Sequence, residues 1–249
     1  MPEPFVPVPR ALLIDAGFTL VSYDGITIAQ LAAGAGVEVT GAEIEATEAV
    51  LRAELAHHDW PQRPDSAAPV SGGARFFRRV LELSRARTVS GSLDAAAEAI
   101  WKHHLVENLW SRPLEGVAAA LERLRGLGLR LAIVSNSEGT VEALLERMGL
   151  KGHFEIVVDS WHLGVTKPDP AIFHHALERL QVQPGDAVMV GDSMKADVGG
   201  AIAAGLRGVL IDPFDLHVDE HVPRYPSFAT FAQALILGHE RQAAAGGGQ

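Results

Sequence analysis

No cysteine occurs in the chain, which excludes disulfides, thiol catalysis and Cys-ligated zinc. No apolar run approaches the roughly 20 residues a membrane-spanning helix needs. The opening Met1-Pro2-Glu3-Pro4 has neither the basic nor the long apolar stretch of an export signal. Positive charge is also scarce. Lys and Arg number 21 against 31 Asp and Glu, a net charge of −10, so a uniformly basic nucleic-acid footprint is missing. What is present is apolar substance: 47% of 249 residues are hydrophobic, too many for a disordered chain and enough for one large or two modest domains. The expectation is a globular cytoplasmic protein with neither a nucleic-acid nor a membrane partner.

Five short apolar runs end abruptly in polar residues: Ala11–Asp15, Leu129–Ser135, Phe154–Asp159, Ala187–Asp192 and Gly208–Asp212. Runs of this length, bounded by polar or glycine signals, read as strands buried on both faces. Helical patterns separate them. Val117, Leu121 and Leu124 share one face; Val141, Leu144, Leu145 and Met148 another; Ile172, Phe173, Ala176, Leu177 and Leu180 a third,. Strand and helix alternating at this spacing predict an α/β fold with a parallel sheet.

The pattern changes between Val21 and Pro113. Helical faces are marked by Ile44, Leu51 and Leu55, by Phe76, Phe77 and Val80, and by Leu93, Ile100, Trp101, Leu105 and Leu109. No convincing strand appears there, and loops are signalled at Pro61–Pro69 and Ser71-Gly72-Gly73. This predicts a helical insert over residues 21–112 within a core made of 10–20 and 113–240. The last residues, 241–249, are Ala/Gly-rich and read as a disordered tail.

Ligands of open parallel sheets bind beyond the carboxyl ends of the strands. There the sequence places Asp15, Ser135 with Asn136, Lys167, and Asp192 with Asp197. Each has an ordinary explanation alone: Ser135 as cap of a helix near Glu138, Lys167 as a solvated loop lysine, Asp192 and Asp197 as helix caps. Together, three carboxylates on one sheet edge repel one another unless protons or a cation neutralise them. Mg²⁺ suits hard oxygen ligands and keeps waters that a phosphate can replace, and a helix start after Asp192 would add attraction for anions.

In this order, the segments Asp15-Ala16-Gly17-Phe18-Thr19, Ser135-Asn136, Lys167-Pro168 and Gly191-Asp192 with Asp197 resemble the motifs of the haloacid dehalogenase-like hydrolases. The helical insert is similar to that family's C1-type cap, and the resemblance spans about residues 10–235. It implies a Rossmannoid core with helices on both faces of the sheet and a small phosphorylated substrate. It also implies Asp15 as nucleophile and Mg²⁺ ligand, the Gly17 carbonyl and Asp192 as further ligands, and Asp197 as support. Ser135, Asn136 and Lys167 would hold the phosphoryl group, with Thr19 holding the first loop. The reaction implied is attack of a carboxylate on phosphorus, then hydrolysis of the aspartyl-phosphate.

One position departs from the family. The usual second aspartate of the first motif, which moves protons to and from the oxygens on phosphorus, is here Gly17, and the usual next glycine is Phe18. Losing one general acid/base typically costs 10²–10⁴-fold in rate, about 3–5 kcal/mol of barrier. Three readings stay open at this point. One is a phosphatase restricted to good leaving groups or borrowing an acid, with Asp24, His57, His58, His103 and His104 as lenders. Another is a catalytically impaired binding or regulatory protein. The last is a metal-independent 2-haloacid dehalogenase, which needs no leaving-group acid but leaves Asp192 and Asp197 uncompensated. Trp60, Phe76, Phe77, Trp101 and Trp110 are candidate cap contributors to specificity that at helical spacing more often form a core. Glu38, Glu43, Glu45, Glu48 and Glu54 read as a solvated helix face.

Overall fold

The structure is a computed structural model that describes residues 2–57 and 72–246. The expected loop at Pro61–Pro69, together with His58 and Trp60, lies outside the described residues, as does the side chain of His57. The chain divides into two compact units. Met1–Ser22 with Pro113–Gln249 form one, and Tyr23–Arg112 form the other.

The first unit is built on six parallel strands: β1 Ala11–Ile14, β2 Arg130–Ser135, β3 Ile156–Asp159, β4 Ala187–Gly191, β5 Arg207–Ile211 and β6 Arg224–Tyr225. Their order is β6-β5-β4-β1-β2-β3. The chain therefore runs outward from β1 in one direction and, from β4, in the other. The crevice at that reversal is where parallel sheets bind ligands. Register is continuous across it, with Ile14 opposite Ile133 on one side and Val190 on the other.

Alternation of side chains explains why these strands read as unbroken apolar runs. Leu13, Ala132, Val134, Val158 and Met189 face a layer formed by Ile172, Phe173, Ala176, Leu177 and Ala201. Leu12, Ile14, Leu131 and Ile133, pointing the other way, are equally buried. Fully burying one such side chain contributes about 1.5–3 kcal/mol. The helix Pro170–Leu180 starts where Asp169 accepts the Ala171 N–H and proline occupies the first turn, a pairing that favours helix starts. A final helix, Phe228–Gly246, continues through Ala243–Ala245, where the composition predicts a disordered tail. Alanine has the highest helix propensity of any residue, and the preceding turns supply the nucleus.

The second unit is mainly helical: Gly25–Gly34, Gly41–Glu45, Glu48–His57, Gly72–Leu83 and Leu93–His104. It also holds a short antiparallel pair, Val37–Glu38 with Arg87–Thr88, where the sequence predicts no strand. Two-residue strands carry no alternation to read. Ile44, Leu51, Phe77, Val80 and Ile100 are buried as their spacing implies, whereas Leu105 stands exposed. Phe76, Phe77, Trp101, Trp110, Tyr23 and His104 form one chain of ring contacts. The glutamates do more than face solvent. Glu43 closes a capping box with Thr40, Glu54 pairs with Arg79, Glu48 with Arg112, and Glu38 with Arg87.

Candidate active site

Four loops meet at the carboxyl edge of the first unit. The first leaves β1 at Asp15 and closes on itself: Leu20 and Val21 N–H groups bond the Ala16 carbonyl, and the Phe18 N–H bonds that of Val21 at 2.7 Å. This tight return places Phe18 at φ +50°, a left-handed conformation costing a side-chain-bearing residue roughly 1–2 kcal/mol. The phenyl group is 3% exposed, and its burial offsets that cost. Thr19 is wholly buried, and its hydroxyl has no hydrogen-bond partner among the described residues, so the loop is held by its backbone.

The second loop follows β2. Ser135 is the last residue of the strand, lying opposite Asp159 of β3. It caps no helix: the next one begins at Val141. Asn136 reaches to the third loop, accepting the Lys167 N–H at 2.8 Å and donating to the Lys167 carbonyl at 3.0 Å. Both backbone polar groups of Lys167 are thereby fixed.

Lys167 is not a solvated lysine. It is 5% exposed, and its Nζ donates at 2.6 Å to Asp15 and at 2.6 Å to Asp197. Burial alone would lower its pKa, but the two facing carboxylates outweigh that and hold it charged, above the ordinary lysine value,. Asp15 moves in the opposite sense to most paired acids. Burial dominates, and with Asp197 adding repulsion its pKa is pushed up to about 6 despite Lys167.

The fourth loop leaves β4 at Gly191. Ser193, and neither aspartate, caps the helical turn beyond it, accepting the Ala196 N–H. That turn, Met194–Gly199, is a π-helix, a wider form that occurs often at functional sites. It brings Asp197 back over β4, where one carboxylate oxygen takes the Lys167 bond and the other accepts the Ser193 N–H at 2.9 Å. A Cβ on residue 191 would fall 2.2 Å from the Asp197 carboxyl carbon, so only glycine leaves room.

The structure thus brings Asp15, Asp192 and Asp197 together, with one ligand atom from each within 4.8 Å of the others, and sets Lys167 between two of them. Three carboxylates against one lysine leave a surplus of negative charge and only hard oxygen donors. That set fits a small divalent cation such as Mg²⁺. Gly17 brings no side chain to this edge; its backbone pairs with Val21. In the second unit, Asp24 caps the helix Gly25–Gly34, His104 accepts the Leu109 N–H, and His103 lies 3.8 Å from Glu107. Sequence reasoning passes over Ser193 and Ser160, whose hydroxyl accepts the Ser137 N–H and ties the β3 loop to the β2 loop. A signal for Ser193 exists: a serine directly before a helical stretch.

The sequence profile of the haloacid dehalogenase-like hydrolases matches residues 9–205. Haloacid dehalogenase-like hydrolase domain-containing protein 3 of Bos taurus is 39% identical over 145 residues, 56% of this chain and 57% of that protein. The chain therefore spans a little over half the length of that relative. Phosphoserine phosphatase of Thermus thermophilus is 31% identical over 222 residues, covering 82% of this chain and 88% of the enzyme. Among solved structures, the Bacillus subtilis hydrolase YfnB, crystallised with magnesium, superposes with a TM-score of 0.68 at 20% identity, over 92% of this chain and 99% of that one. That similarity establishes the fold alone.

Proposed function

Since the chain belongs to the haloacid dehalogenase-like hydrolase family, we propose that it is a Mg²⁺-dependent phosphatase of small phosphate monoesters, acting through an aspartyl-phosphate on Asp15. The observation that carries this reading is Lys167 locked by 2.6 Å bonds between Asp15 and Asp197, with Asp192 alongside. The phosphatase activity named for the Thermus relative supports it. The helical unit, Tyr23–Arg112, would serve as the cap.

Asp15, Asp192 and the Gly17 carbonyl would hold the cation, which when bound neutralises phosphate charge and leaves a carboxylate free to attack. The Asp15 oxygen forms a bond to phosphorus as the ester P–O bond breaks, and the leaving oxygen departs with the electron pair. Lys167 and Ser135 supply donors to the phosphoryl oxygens, which phosphoryl transfer needs more than any covalent help. Asn136 keeps the Lys167 backbone in place, and Asp197 keeps its ammonium charged and aimed. Water then attacks phosphorus, its proton passes to solvent, and Asp15 is restored. Gly17 cannot protonate the leaving oxygen, so esters with acidic leaving groups react fastest. The same glycine favours a second reading, an impaired enzyme that binds phosphate esters without turning them over. The 2-haloacid dehalogenase reading is disfavoured by the crowded carboxylates, which metal-free chemistry leaves unneutralised.

The test is hydrolysis of p-nitrophenyl phosphate. We expect activity that requires Mg²⁺, disappears with EDTA, and is lost in Asp15→Asn. Turnover undiminished by that substitution would exclude the mechanism, and phosphate binding without turnover would favour the second reading.

A further inference from the structure

The β3 edge of the first unit carries an aromatic residue that the proposed chemistry does not use. Trp161 is 69% exposed, a costly placement for the largest apolar-bodied side chain. Yet it is held firmly. Asp159 accepts the Trp161 backbone N–H at 3.0 Å, and Ser160 is bound to the backbone of Ser137 through its hydroxyl. Gly139, at φ +86°, makes room for the indole: a Cβ there would lie 2.9 Å from the ring carbon Cδ1. Trp161 is therefore bolted to the loop that carries Ser135 and Asn136.

Its position follows from register. Asp159 is level with Ser135, and β2 separates β3 from β1. Two strand spacings, about 10 Å, therefore lie between the Asp15 strand and the Trp161 strand. That spacing is short enough for the ester group of a substrate whose phosphate lies against Asp15 to extend to the indole if it is directed toward β3.

We propose that Trp161 is a specificity-determining residue, an exposed indole fixed against Gly139 that selects phosphate esters of flat aromatic alcohols. This rests on the phosphatase reading and narrows it. It also suits Gly17, because aromatic alcohols are acidic enough to leave without a proton donor.

Calorimetric binding of phenylphosphonate and methylphosphonate to the full chain with Mg²⁺ tests the assignment, alongside kinetics with phenyl phosphate and phosphoglycolate. In Trp161→Ala, phenylphosphonate should bind about three- to tenfold more weakly, the range expected for one aromatic contact. KM for phenyl phosphate should rise by the same factor with kcat unchanged. Methylphosphonate and phosphoglycolate should be unaffected, and Trp161→Phe should restore most of the loss. Equal weakening of both phosphonates, or no weakening of the aromatic one, would overturn the role of Trp161 while leaving the phosphatase reading intact. Failure of the unaltered protein to bind either phosphonate would overturn both.

Discussion

Asp197 occupies the space that any side chain on residue 191 would need, its carboxyl carbon standing 2.2 Å from the Cβ position of Gly191. Neither neighbour can yield cheaply, since Gly191 is a strand residue and Asp197 is held by Lys167 and Ser193. Gly191→Ala should displace the carboxylate and free one side of the lysine. We expect a fall in turnover of 10²-fold or more, about 2.7 kcal/mol, with the circular dichroism spectrum retained. Turnover within threefold of the unaltered enzyme would show that Asp197 is not needed where it stands.

Phe18 presents two opposed effects. Glycine there would relieve the left-handed backbone, a gain of about 1–2 kcal/mol, but would delete a buried phenyl group, a loss of about 3–5 kcal/mol. The loss of the ring outweighs the relief. Phe18→Gly should destabilise the protein by roughly 1–4 kcal/mol in urea unfolding, the difference of those ranges. A stabilised variant would mean that the loop, and not the ring, governs this position.

Asp212, at the end of β5, accepts the Leu216 and His217 N–H groups and a bond from Arg224. Burial opposes ionisation, but these donors outweigh it and hold the pKa below the usual 3.8. A depressed acid stabilises the fold fully above its unfolded value, and the contribution is lost as pH falls through the folded one. Asp212→Asn should therefore lower stability at pH 7 and flatten the loss of stability below about pH 4. Parallel acid-unfolding curves for the two proteins would contradict this.

Restoring an acid at the first motif tests the cost of Gly17. In Gly17→Asp, turnover of alkyl phosphates should rise by more than that of p-nitrophenyl phosphate, because only the poor leaving group needs the proton. An equal rise, or none, would show that another group already serves or that Phe18 keeps the new side chain turned away.

How much of the molecule is legible in its sequence depends on where the information lies. Five of the sheet's six strands are legible because runs such as Ala11–Ile14 and Ala187–Gly191 are buried on both faces, whereas the sixth, Arg224–Tyr225, is two half-buried residues and leaves no apolar run to read. Lys167 stands out only in company with Asp15 and Asp197, since its burial depends on residues 152 and 30 positions away. The π-turn at Met194–Gly199 is not legible: it differs from an α-turn by one residue in its bonding, and no side-chain pattern reports that. The left-handed Phe18 is hidden for the opposite reason, because its residue type argues against the conformation it adopts. The pairing of Val37–Glu38 with Arg87–Thr88 is too short for either strand to announce itself.

β1 lies at the centre of its sheet, yet both of its neighbours are encoded far downstream, starting at Arg130 and Ala187. During synthesis that strand leaves the ribosome before either of its partners, and its four apolar residues must wait while the whole helical unit is made. Assembly of this half of the molecule is consequently a late event, its rate set by closing a very long loop. A nascent chain halted before Gly191 would hold an unfinished sheet, the state most exposed to chaperone capture and aggregation.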